Sequence, residues 1–400
     1  MPKRVLLVNK FYYPRGGDCV VVLNTQALLR EHGVEAEVFA MRYPDNLPAR
    51  YQEDFPCQVD FGGDLSAKWL ALCRTMGWGD VKSCFERVLS DFKPDVVHLH
   101  NVHSYLSPVV ARLAHDHGLR VVWTLHDYKL LCPSYTCLRQ GDPCELCFAG
   151  GKSHVLRHRC MKDSLAASAV AWLEARQWSR AALQSCTDTW ICPSEFMASK
   201  MRQGGFSADR LTVLSNFIDP VKLGQLKALD DNPTPRDYYC YVGRLSAEKG
   251  VDTLLQAASQ LPYRLRVGGD GPLRDELRLR YGHCGHIEFL GQLDAAGVSR
   301  LLSGARLCVM PSECYENNPL SVIEALCAGT PVVGTHMGGI PELLSSESGV
   351  ICPARDPQAL AQAIDSAWQR VWRHADIAAE SRRRFSPQPH YEALARIYGL

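Results

Sequence analysis

Two glutamates, Glu316 and Glu324, stand eight positions apart in "YENNPLSVIEALCAGTPVVGT". Between them Asn-Asn-Pro runs into an apolar helical pattern. Proline suits the first turn of a helix and asparagine its cap, so Pro319 is expected in the first turn with Asn318 as N-cap. Glu316 then lies ahead of the helix. Glu324 falls about a turn and a half inside, its side chain leaning back toward the N-terminus. Unpaired N–H groups from Asn318 to Ser321 would attract an anion between the two carboxylates. A sugar nucleotide has that layout: sugar, diphosphate, ribose. The plain alternative for Glu324 is a surface helix glutamate, but its neighbours are apolar, and a carboxylate there needs a partner.

Three further turns could hold anions. In "NKFYYPRGGDCVVVLNTQALLREHG" a strand ends, Arg15-Gly16-Gly17-Asp18 follows, and a helix runs to Gly33. Gly16 and Gly17 would either let backbone approach a phosphate or serve a turn that needs positive φ. In "YVGRLSAEKGVDTLLQAA" Arg244 and Lys249 flank a short loop and could hold a diphosphate, the first as a planar fork and the second as a point charge. Solvated surface charge is the ordinary reading of both. "RVGGDGPLRDEL" repeats the strand, glycines and helix, with Pro272 expected at the first helical position.

The elements that must position these residues are legible from periodicity. Short β-branched runs alternate with helical patterns, the mark of parallel sheets covered on both faces. Strands are expected at "VLLVN", "EAEVFA", "DVVHLH", "RVVWTL" and "TWICPS", and then at "YYCYVG", "YRLRVGG", "HIEFLG", "RLCVMPS", "PVVGT" and "GVICP". The polar, proline-bearing "LKALDDNPTPRD" reads as a linker between the halves. The 400 residues suit two domains, 46% are hydrophobic and 22% charged, and no apolar run approaches bilayer length. A net charge of +1 provides no global field toward nucleic acid, and none is expected as a partner. The seventeen cysteines, many in apolar runs, fit a reducing cytoplasm.

In order and placement these motifs resemble the retaining glycosyltransferases of family 4. That likeness implies an α/β, GT-B fold, two Rossmann-like domains facing each other across a cleft. The acceptor-side domain would span 1–218 and the nucleotide-sugar-binding domain 219–378, with a helix at 379–400 crossing back to the first domain. The likeness rests on E-x7-E at Glu316 and Glu324, on "GTPVVGTHMGGIPELL", on "GRLSAEKG" and on "PRGG". It implies that Arg244 and Lys249 neutralise the donor diphosphate, that Glu324 accepts from the ribose, and that Glu316 holds the sugar hydroxyls. Backbone N–H groups of the 317–320 stretch would assist, Asn317, Asn318 and Leu320 donating while Pro319, which has no N–H, shapes the turn. Gly16 and Gly17 would approach the diphosphate, and His126, in "VVWTLHDYKLLCP", would contact the donor sugar. The implied activity is metal-independent transfer, with retention, from a UDP- or GDP-type sugar to a glycan or lipid-linked glycan acceptor in surface polysaccharide or glycoconjugate synthesis. A non-catalytic sugar-nucleotide-binding subunit and a sugar-nucleotide epimerase on the same fold are the competing readings. The sequence departs from the family pattern at "LSNFIDP", where Phe217 replaces a glycine between Asn216 and Asp219; a changed hinge or acceptor pocket is expected.

One segment lies outside this scheme. "CPSYTCLRQGDPCELCFAGGKSHVLRHRC", about 132–160, carries Cys144-x2-Cys147, and Cys132 and Cys160 complete four candidate ligands for a structural zinc, with Cys137 as a spare. A loop of free thiols is the alternative. By the same likeness catalysis is expected to require no cofactor. The basic segment that follows, with Trp172 and Trp178, reads either as an interfacial helix on an anionic membrane, placing the enzyme at the inner face of that membrane, or as a core-facing helix.

Overall fold

The structure is a computed structural model and describes residues 3–149, 151–230 and 236–400. The chain divides into two units. The first comprises residues 1–139, 144–214 and 391–400, and the second residues 140–143 and 215–390.

The first unit is built on a parallel sheet of β1 (Arg4–Val8), β2 (Glu35–Phe39), β3 (Val96–Leu99), β4 (Arg120–Thr124), β7 (Thr189–Cys192) and β8 (Leu211–Val213), ordered β2-β1-β3-β4-β7-β8. A two-stranded ribbon, β5 (Leu138–Arg139) with β6 (Asp142–Pro143), forms from the cysteine-rich segment. The central strands are apolar along most of their length because helices cover both faces: Val5 to Val8 and Val121 to Trp123 are buried. Every strand expected in the first half is present, and β8 was not foreseen. Its "LTV" is only three residues and half-exposed, too short to show a period.

The second unit has a parallel sheet of β9 (Tyr238–Val242), β10 (Arg264–Gly268), β11 (Ile287–Gly291), β12 (Leu307–Met310), β13 (Val332–Thr335) and β14 (Gly349–Cys352). Their order is β11-β10-β9-β12-β13-β14, so the winding reverses between β9 and β12. In the first sheet it reverses between β1 and β3. Loops leaving the carboxyl ends of strands at such reversals diverge and open a crevice, where ligands of open α/β sheets bind.

The change of unit falls earlier than the linker reading placed it. Residues 226–230 end the helix Pro220–Asp230 of the second unit, and residues 231–235 lie outside the described residues. The second unit begins at Ser215 because the next residues bond within it. The Asn216 N–H donates to Asn318 Oδ1 at 2.9 Å, and Asp219 Oδ1 accepts from the N–H groups of Val221 and Lys222 at that helix start. Phe217 is buried with its ring centroid 4.4 Å from that of His390. The helix Pro387–Tyr398 carries the chain from the second unit into the first, where Tyr398 Oη meets His98 Nδ1 at 2.6 Å.

Two helix starts correct the expectations. The helix after Glu316 is Leu320–Cys327, with Pro319 as N-cap at ψ 120°. Asn318 is engaged elsewhere, its amide oxygen taken by Asn216 and Ser215. The helix after "VGGDG" begins at Arg274, beyond Pro272, because Gly271 to Leu273 turn back so that the Leu273 N–H donates to the Leu245 carbonyl. Trp178 is core, 5% exposed, with its indole N–H on the Thr75 carbonyl, so the interfacial reading fails for it. No helix of the described residues is long and apolar enough to cross a membrane.

Candidate functional site

In the second unit the reversal brings together the loops after β9 and β12. Residues 243–250 carry Arg244 and Lys249, and residues 311–319 carry Glu316. The loops are tied by the Glu313 N–H donating to the Glu248 carbonyl at 2.9 Å. Lys249 Nζ lies 2.6 Å from Glu316 Oε1, and Ser312 Oγ donates to the same oxygen at 2.6 Å. Glu316 is 8% exposed, and its Oε2 takes no partner among the described residues. Burial opposes the Lys249 charge, but Glu316 outweighs it with help from Cys314 and Glu248, and the ammonium pKa is raised. Lys249 is therefore a cation throughout the physiological range.

The Glu316 loop is held from behind. Thr335 Oγ1 donates to the Ser312 carbonyl at 2.7 Å, and the Gly339 N–H donates to the Glu316 carbonyl at 2.7 Å. Gly338 has φ +65°, and a Cβ there would sit 2.0 Å from the Glu316 carbonyl oxygen. The glycines of "HMGGIP" thus let one loop press directly on the other.

Glu324 lies inside its helix, little exposed, and pairs with Lys222 through Oε1. This is the partner its apolar setting required. Leu320 and Ser321 occupy the first turn, where N–H groups have no carbonyl four residues back. Arg244 is exposed and makes no ion pair among the described residues; its carbonyl accepts from Tyr241 Oη at 2.8 Å.

In the first unit the reversal joins the loops after β1 and β3. The Lys10 N–H donates to the Asn101 carbonyl at 2.9 Å, and Asn101 Nδ2 donates to Asp18 Oδ2 at 2.6 Å. Gly16 and Gly17 are exposed between them, where the helix Gly17–Glu31 begins. Gly16 has φ −161°, extended backbone open to any residue, and Gly17 is not among the positive-φ glycines. The turn alternative for this pair is thereby removed.

His126 follows β4, and its Nε2 lies 2.9 Å from His100 Nδ1, one ring donating to the other. Burial lowers the His126 pKa to about 4; Asp18 raises it and Lys10 lowers it further. His126 is consequently a neutral ring at pH 7. Burial likewise opposes ionisation of Asp18, yet His126, Lys10 and the Asn101 amide hold its carboxyl below the usual range. Asp127, next to His126, is shifted the other way by burial.

The structure places the residues singled out in the sequence, Arg244, Lys249, Glu316, His126 and the glycines, in loops after strands or at helix starts, and Glu324 inside its helix. Sequence reading missed Lys222, Ser312, Lys10, Asp18, His100 and Asn101. Asp18, in the quoted "PRGGD", and His100, ending "VVHLH", had positional signals; Lys222 had none, since its partner lies 102 residues away.

Two doubly wound parallel units, each with charged and polar groups gathered at the reversal of its sheet, define a glycosyltransferase of the GT-B type. The chain belongs to the group 1 and family-4-like glycosyltransferases: residues 236–370 match the family "Glycosyl transferases group 1" and residues 16–216 match "Glycosyl transferase 4-like domain". Among curated relatives, the glycogen synthase of Mycobacterium tuberculosis is 28% identical over 338 residues, 82% of this chain and 72% of that protein. Among solved structures, the sucrose-phosphate synthase of Thermosynechococcus elongatus superposes with a TM-score of 0.71 at 19% identity, covering 99% and 98% of the two chains. HepE of Anabaena in complex with UDP gives a TM-score of 0.63 at 19% identity, with 98% of each chain covered. At these identities the structural likeness speaks for the fold.

Proposed function

We propose that the protein transfers a sugar, with retention of anomeric configuration, from a nucleoside-diphosphate sugar to an acceptor hydroxyl. The observation that carries this is the Lys249–Glu316–Ser312 arrangement at the β9/β12 reversal. One carboxylate oxygen is clamped by a cation and a hydroxyl. The other is left to accept from the sugar.

The second unit holds the donor. Glu316 Oε2 fixes sugar hydroxyls, Glu324 accepts from the ribose beside its pairing with Lys222, and Arg244 joins Lys249 on the diphosphate. N–H groups of Leu320 and Ser321 add a preorganised partial charge. As the bond from C1 to the phosphate oxygen breaks, negative charge collects on the leaving diphosphate, and these fixed positive groups stabilise it without reorganising. The acceptor oxygen bonds to C1 on the face the phosphate leaves, and the acceptor proton passes to a phosphate oxygen. No carboxylate need act as nucleophile, so Glu316 is a positioning group for the sugar.

Arg244 and Lys249 provide the charge that a divalent cation provides elsewhere, which supports metal-independent chemistry, and the sequence contains no Asp-x-Asp pair to clamp a metal–diphosphate. In the first unit, neutral His126 offers a ring N–H or lone pair to a sugar hydroxyl, and Gly16 and Gly17 bare the backbone to phosphate. The donor is of UDP or GDP type; HepE, which shares the fold, is described with UDP. The acceptor is a glycan or lipid-linked glycan of a surface polysaccharide or glycoconjugate.

The test is a thermal-shift panel of UDP, GDP, ADP and their sugars, with and without EDTA. A native-state ligand at one hundred times its Kd stabilises by about 2.7 kcal/mol. Stabilisation by one nucleotide series, unchanged by EDTA and abolished in Lys249→Ala, is expected. No shift with any nucleotide would overturn the donor site, and binding without turnover would favour a supporting, non-catalytic subunit.

A further inference from the structure

The cysteine-rich segment of the first unit is not used by the chemistry above. Its backbone is unusual. Four of the ten non-glycine residues with positive φ among the described residues fall in it, Tyr135, Cys137, Gln140 and Arg159, and Lys162 and Asp163 follow just beyond it. Regular structure there is confined to the two-residue strands β5 and β6 and the four-residue helix His154–Arg157. Left-handed residues are unfavourable for branched and bulky side chains and persist only where surrounding structure holds them. So short a stretch of regular structure does not by itself account for that hold.

The same segment encloses a cavity of about 10 Å³, room for a single water-sized occupant. Four thiols line it, those of Cys132, Cys144, Cys147 and Cys160, together with His154 and His158. Leu138, Pro133 and Val155 close the rest of the wall. His154 Nδ1 is buried there without a hydrogen-bond partner. Lys152, mostly buried, donates its ammonium to the carbonyls of Leu131 at 2.5 Å and Cys147 at 2.7 Å, behind the thiols.

We propose that this cavity is a structural metal site in which the thiolates of Cys132, Cys144, Cys147 and Cys160 bind one zinc-type divalent cation. Four thiolates around a divalent ion carry a net double negative charge, and Lys152 with the surrounding arginines offsets it. His154 donates Nδ1–H to a bound thiolate, an outer bond of the kind that fixes metal ligands. Among the described residues no three His, Cys, Asp or Glu side chains already stand in a metal-holding arrangement. Each cysteine Sγ is carried by χ1 alone, the torsion by which a thiol turns toward a bound ion. Binding exchanges four thiol protons for the cation and ties residues 132, 144, 147 and 160 into one cross-link, the hold that the left-handed backbone lacks. Cys137, whose thiol is hydrogen-bonded to Cys132, stays outside the set.

The test uses the full chain. Protein purified without chelator should carry about one zinc per chain by elemental analysis, and a strong chelator should lower its melting temperature. Cys144→Ser with Cys147→Ser should lose the metal, while Cys57→Ser, at an exposed thiol, should keep it. Should the double variant fail to fold, cobalt exchange into the parent chain decides: intense thiolate-to-cobalt charge transfer with tetrahedral ligand-field bands is expected. A parent chain with less than about a tenth of an equivalent of metal, indifferent to chelator, would overturn the proposal. So would a Cys132–Cys137 disulfide in that chain.

Discussion

Glu316 Oε1 is shared by Lys249 Nζ and Ser312 Oγ, each at 2.6 Å, while Oε2 of the same carboxylate has no partner among the described residues. A buried carboxylate that is held at one oxygen and open at the other is oriented before substrate arrives. Its side-chain entropy and desolvation are settled during folding, so little remains to be lost on binding. Four expectations follow from this and the neighbouring geometry.

Replacing Glu316 by Ala removes the sugar contact and leaves the Lys249 charge to the diphosphate. Nucleotide affinity should stay within a few-fold. Turnover should fall by roughly 10²–10³, the range for loss of one preorganised polar group at a reacting centre. Glu316→Gln keeps the shape and should recover part of it. Nucleotide release and nucleotide binding, measured on the same preparations, check the split.

Arg244 and Lys249 should differ. Arg244 is exposed and makes no ion pair among the described residues, so Arg244→Ala should leave the urea midpoint unchanged, within the half-kilocalorie or so typical of surface sites, while raising the donor KM. Lys249→Ala also strands the Glu316 carboxylate and should lower both stability and donor affinity. Denaturation curves beside donor titrations separate them.

Gly338→Ala places a Cβ 2.0 Å from the Glu316 carbonyl oxygen on a backbone at φ +65°. Both effects destabilise, by at least about 1–3 kcal/mol together, and both displace Glu316. Gly16→Ala meets only Asp18 Oδ1 at 3.2 Å and should fold normally, so any loss there is a loss of function. Chemical denaturation of the two variants is the comparison.

Stability should fall on mild acidification. His126 and His390 both have folded pKa values near 4, from burial, against a usual 6.5. Below 6.5 the unfolded chain takes protons that the folded chain refuses, so the folded state loses ground as pH drops from 6.5 toward 4. At pH 5 the cost is about 2 kcal/mol for each fully depressed histidine. A melting temperature lower at pH 5 than at pH 7, with the difference reduced in His390→Gln, is the expected result.

Much of this was legible because parallel strands covered on both faces must be continuous apolar runs; "RVLLV" and "LCVM" admit little else. Candidate functional residues at their carboxyl ends were legible for the same reason: Arg244, Glu316 and His126 each follow a strand by a few residues. What failed was local. Pro319 caps its helix, and Asn318 does not, because the Asn318 amide oxygen is taken by Ser215 and Asn216, about a hundred residues earlier. Lys222 was invisible for the same reason, since its pairing with Glu324 exists only after folding. Trp178 illustrates the ambiguity of an amphipathic stripe: the pattern of an interfacial helix and of a core-facing one is the same, and the Thr75 carbonyl decides it.

The most direct test of the central claim is to follow donor consumption by proton NMR in the presence of EDTA, using the sugar nucleotide that the binding panel selects. The account predicts turnover in chelator, with the released or transferred sugar appearing first in the anomeric configuration of the donor, and its loss in Glu316→Ala. First appearance of the opposite anomer, or turnover that returns only with added divalent cation, would contradict it.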